Sequence, residues 1–114
     1  SMDKPGTLLL TVLLWHGSKG RYIAHCDYFG CETSVHSENP EEDIKELFIQ
    51  ELKARVYAGE KLLTPHQEYA SEIEEVLTTK KHREIVRRVM DISHIPELEG
   101  IRHIQFVLQI IYCD

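Results

Sequence analysis

The stretch "TLLLTVLLW", Thr7 to Trp15, decides how the rest of the chain is read. Leu and Val occupy both alternating sets of positions. A strand with one face in water alternates apolar with polar residues, so one that is apolar on both sets is covered on both faces and sits inside a sheet. The run contains Thr11 and stops at His16 and Gly17, well short of the roughly 18 apolar residues of a membrane span. It also lacks the basic start of a signal peptide.

Working outward, "HGSKG" (His16–Gly20) holds two glycines and small polar residues for a tight reversal. Arg21 to Phe29 then resumes strand chemistry, so the first two segments predict a hairpin. Gly30 marks a second turn, and Cys31 to His36 alternates Cys31, Thr33 and Val35 with Glu32, Ser34 and His36, as in a short strand near an edge. The result is a three-stranded meander. The helix start that follows combines Asn39 as cap, Pro40 at the first helical position and Glu42 to complete a capping box. Ile44, Leu47, Phe48, Leu52 and Val56 form its apolar stripe, and Gly59 is placed to end it.

Thr64, Pro65 and Gln67 repeat the capping pattern, and Tyr69, Ala70, Ile73, Val76 and Leu77 continue at helical spacing. The next apolar set, Ile85, Val86, Val89 and Met90, lies on another phase. That predicts two helices broken near Thr78 and Thr79, or one rotated helix, over residues 65–92. "HIPELEG" (His94–Gly100) reads as a loop, and Ile101 to Tyr112 as a final inner strand. The expected fold is α+β: a three-stranded meander, an amphipathic helix, a helical insertion and a final strand completing one sheet, in a single domain over residues 1–114. Leu10, Val12, Phe48, Leu52, Phe106 and Leu108 are expected to share one core between sheet and first helix.

Composition narrows the function classes. Hydrophobic residues at 42% and charged residues at 28% are ordinary for one globular core. Three cysteines are too few and too odd for a disulfide scaffold, which points to a reducing compartment and a cytoplasmic location. Ser1 ahead of Met2 is read as an expression remnant. The net charge of −6 argues against an all-round nucleic-acid platform and suits a basic protein partner.

The candidate chemical sites are thin. Cys26, Cys31, His36 and Cys113 lack the close cysteine pairs that zinc favours, so no metal or other cofactor is expected. His25 and Cys26 are neighbours on an extended chain and point to opposite faces, which rules them out as a thiolate–imidazole pair. Asp27 with Glu41, Glu42 and Asp43 could in principle serve a metal-dependent nuclease, but acids in a first helical turn ordinarily compensate the dipole. In "KKHREIVRR", Lys80, Lys81, Arg83, Arg87 and Arg88 would spread along a helix opposite Ile85, Val86 and Val89, as a solvated face or a phosphate-binding one.

The series strand, turn, strand, "DYFGC", short strand and acidic helix is similar to the HicB-like antitoxin domain, a partial RNase H-like fold. In that family the second strand ends in Asp, an aromatic or aliphatic residue, then Pro-Gly-Cys. Asp27, Gly30 and Cys31 match, Phe29 stands where proline is usual, and Glu41 to Asp43 match the acidic helix entry. The resemblance covers about residues 7 to 58 and the last strand. Residues 60–100 are longer and more helical than the usual connection, and the separate DNA-binding segment of many members is not seen. The resemblance implies action by protein contact without catalysis. The expectation is therefore an antitoxin-like inhibitor that masks a basic partner through Asp27, Tyr28, Phe29, Glu41, Glu42 and Asp43. A nucleic-acid module using Lys80, Lys81, Arg83, Arg87 and Arg88 is the alternative, and an RNase H-type nuclease the weaker one. Because two strands are apolar on both faces, the second face needs cover from the insertion or from a second copy. A homodimer is expected, with Cys31–His36 as the edge.

Overall fold

The computed structural model describes residues 6–26, 31–35, 38–61, 67–79 and 81–114. Its strands are β1 (Thr7–His16), β2 (Tyr22–Cys26), β3 (Cys31–Val35), β4 (His82–Met90) and β5 (Gln105–Cys113), with helices α1 (Pro40–Tyr57) and α2 (Gln67–Thr78) between β3 and β4. All five strands join one mixed sheet in the order β3-β2-β1-β5-β4, an α+β fold. β1 is central, as its two apolar faces require. It pairs antiparallel with β2 and parallel with β5, in a register running from Thr7 opposite Gln105 to Trp15 opposite Cys113.

The hairpin between β1 and β2 closes where the sequence places it. Lys19 and Gly20 both have positive φ, and the Arg21 amide donates to the Ser18 carbonyl at 3.1 Å. Two successive residues in this region give the reversal a twist that matches the strands. At the start of α1 the Asp43 amide donates to the Asn39 carbonyl, and Glu42 reaches Lys45 at 3.9 Å rather than completing a capping box. Its end is a Schellman closure: Gly59 at φ +73 donates to the Val56 carbonyl and Glu60 to that of Arg55.

α1 covers one face of the sheet. Leu8, Leu10, Val12 and Leu14 of β1 and Phe106, Leu108 and Ile110 of β5 pack with Ile44, Phe48, Ile49 and Leu52. The six residues expected to share a core are all in it. Ile49 takes a place in the stripe, whereas Leu47 is largely exposed. The connection before β5 contributes too. Pro96–Ile101 forms a 3₁₀ turn whose Leu98 is fully buried with Ile92 and Ile95, so the stretch read as a loop anchors itself in the core.

Residues 82–90 correct the reading of a helix over 65–92. α2 ends at Thr78, where the break was expected, but His82–Met90 is the edge strand β4, antiparallel to β5. On β4 only Val86 and Met90 are buried. Four residues is a multiple of the strand period and also close to one helical turn, so the pattern satisfies both. Ile85, Val86 and Val89 are β-branched, and pairing with β5 decides the outcome. The final strand sits beside β1, inside the sheet, as its apolar residues on both faces predict. The capping residues Thr64 and Pro65 lie outside the described residues.

Phe48 has no exposed surface and lies between α1 and both central strands. Phe48→Ala should cost about 3–5 kcal/mol in chemical denaturation, as cavity-forming truncations do. A loss below about 1 kcal/mol would contradict this placement.

Candidate interaction surface

Among the described residues, the opposite sheet face is covered at one end only. There α2 lays Val76, Ile73 and Leu77 over Leu13, Ile111, Cys113 and Trp15. Farther along, Leu9 (42% exposed) and Val89 (64%) stand open among the described residues, and Ile85 (41%), on β4 opposite Ile111, and Ile23 on β2 are also exposed. Between them the register aligns Thr11, Gln109 and Arg87 on three adjacent strands. Gln109 donates from Nε2 to Thr11 Oγ1 at 3.3 Å and accepts from Arg87 Nε at 2.6 Å. This polar row lets the buried Gln109 amide be satisfied between the apolar pairs Leu9–Val107 and Leu13–Ile111.

The predicted acidic site divides. Asp27, Tyr28 and Phe29 lie outside the described residues, between β2 and β3. Glu41 turns inward: its Oε2 accepts from the Tyr112 hydroxyl at 2.7 Å, and its Oε1 is 3.5 Å from Arg88 Nε. Glu42 is exposed and pairs with Lys45, and Asp43 is half-buried. The three first-turn acids therefore do different work, one of them fastening α1 to β4 and β5.

The basic residues are also redistributed, because a strand sends alternate side chains to opposite faces. Arg83 lies 3.7 Å from Asp114 and over the Tyr112 ring, Arg88 faces Glu41, and Arg87 lies on the other side against Gln109. They do not form the continuous helical face expected of Lys80 to Arg88. Lys81 is exposed just before β4, and Lys80 lies outside the described residues. Cys26 and Cys113 are buried on opposite faces of the sheet, so they cannot converge on one ion. Among the described residues no three His, Cys, Asp or Glu side chains group to hold a metal. Again among the described residues, no helix is long and apolar enough to cross a membrane.

The exposed apolar end of the second face was missed, as were the Tyr112–Glu41 bond and the Thr11–Gln109–Arg87 row. The signal of the apolar end was present in Leu9, Val89 and Ile85, but recognising it required knowing that 82–90 is a strand. Comparison of the chain with family models, with curated proteins and with solved structures yields no match.

Burial, followed by the hydrogen bond to Glu41 and the charge of that carboxylate, raises the Tyr112 pKa above its ordinary value of 10.0. A folded-state pKa above the unfolded one gives stability that is complete below about pH 10 and lost as pH rises through the folded value. Tyr112→Phe should remove that alkaline dependence and cost on the order of 1 kcal/mol at neutral pH. Denaturant titrations of both proteins at pH 7 and pH 11 check this, and equal pH responses would contradict it.

Proposed function

We propose that the chain is a small cytoplasmic protein-interaction domain, antitoxin-like in masking a basic protein partner and without catalysis of its own. The observation that carries this reading is the open end of the second sheet face. Leu9, Ile85 and Val89 present apolar surface on a rigid sheet, interrupted by the ordered Thr11–Gln109–Arg87 row. Apolar contacts of this kind supply affinity in protein interfaces, while charge chiefly speeds encounter and rejects wrong partners. Glu74 and Glu75 are exposed on α2, which covers the other end of the same face, and the chain carries net charge −6. Both favour a partner that is apolar at its centre and basic at its rim. The resemblance of residues 7–58 to the HicB-like antitoxin domain supports the same class of function.

The reading includes a homodimer. The nucleic-acid alternative draws less support, because Arg83, Arg87 and Arg88 each have a partner within the chain and lie on different faces.

Purification of the tagged chain from its native cell should recover a basic protein, and the reconstituted pair should bind in titration calorimetry. Val89→Asp and Leu9→Asp, both at exposed positions, should weaken that binding at least about tenfold, which corresponds to roughly 1.4 kcal/mol. The circular-dichroism melts of these variants should stay close to wild type. Recovery of self-copies alone, or binding unchanged in both variants, would overturn the reading.

A further inference from the structure

β4 is a nine-residue edge strand, and among the described residues no strand pairs with its outer side. Such an edge offers a row of backbone donors and acceptors to another strand. Arginines on an edge ordinarily discourage pairing, so the question is whether any register accommodates them. Two copies related by a two-fold axis perpendicular to the sheet pair antiparallel, with one residue opposite its own counterpart.

The candidate centres differ sharply in charge. Centring on Glu84, Arg87 or Arg88 sets each against itself, and centring on Ile85 sets Arg83 against Arg87. Like charges directly opposite destabilise a sheet pair. Among the centres from Glu84 to Arg88, only Val86 avoids this. About Val86, Glu84 lies opposite Arg88 of the second copy, and symmetry repeats the pair. Ile85 lies opposite Arg87, whose aliphatic stem can cover it. Glu84 and Arg88 are both exposed and share the face that carries Tyr112 and Glu41, since β4 sets them opposite Tyr112 and Leu108. Arg88 would then lie between Glu41 of its own chain and Glu84 of the other. The irregularity between His82 and Glu84 limits the new ladder to the regular part of the strand.

We propose that a second copy of this chain docks on β4, antiparallel and centred on Val86, to make one continuous ten-stranded sheet. The proposal rests on the homodimer reading above and replaces β3 with β4 as the joining edge. Leu9, two strands in from the joining edge, stays free for the other partner, while Ile85 enters the dimer contact.

Sedimentation equilibrium tests it with wild type, Glu84→Arg, Arg88→Glu and an equimolar mixture of the two variants. Wild type should reach twice 13.3 kDa. Each variant alone sets like charges opposite one another at both symmetry-related pairs and should dimerise about tenfold or more weakly. The mixture should recover near-wild-type association, because in the mixed dimer positions 84 and 88 again carry opposite charges across both pairs. Thermal melts establish that each variant is folded. Val86→Cys, at the axis, should form a disulfide-linked dimer on oxidation, and Ile85→Cys should not. A wild type fixed at 13.3 kDa overturns both the homodimer and this interface. A dimer indifferent to both charge reversals, with no Val86→Cys cross-link, overturns the interface while leaving the homodimer.

Discussion

The parallel pairing of β1 with β5 is the constraint on which the rest of the molecule depends. Nine residues of each strand run side by side, and the pair is flanked by β2 and β4. Parallel strands cannot be joined by a tight turn, so the chain must leave the sheet and return between them. The excursion supplies α1 and α2, one for each face. The two helices are unequal. Among the described side chains, α1 extends over Leu8 to Leu14 of β1, whereas α2 reaches only the Leu13 and Trp15 end. The exposed patch around Leu9 and Val89 follows directly from that inequality.

How much of this was legible can be judged from particular residues. Leu8 to Trp15 announced an inner strand because both of its faces are apolar, and the structure gives both faces something to cover them. Pro40 and Gly59 bounded α1 because each carries a conformational requirement of its own: proline at the first helical turn, and a positive φ at the end. β4 was not legible. Val86 and Met90 are its only buried residues, and a spacing of four cannot tell strand from helix. Its pairing with β5 joins residues far apart in sequence, and local propensity does not record that.

The same error hid the candidate site. Read as a helix, residues 80–88 offered a basic face; as a strand, they separate Arg87 from Arg88 and expose Ile85 and Val89. The first-turn acids followed a similar course. Their positions were evident, yet the 2.7 Å bond from Tyr112 to Glu41 depends on where β5 places Tyr112, and no local pattern contains that information. The proposed function depends on which parts of a two-faced sheet are left uncovered, and that is a property of the assembled fold.

Residue-resolved amide hydrogen exchange on the dilute monomer tests the central role of the β1–β5 pair most directly. The slowest amides should be those of Leu8–Leu14 and Phe106–Ile111, exchanging only through global unfolding, while alternate amides of residues 84–88 exchange orders of magnitude faster at the edge. Exchange of the β1 amides as fast as those of β4, or helical protection of every amide from 82 to 90, would contradict the account.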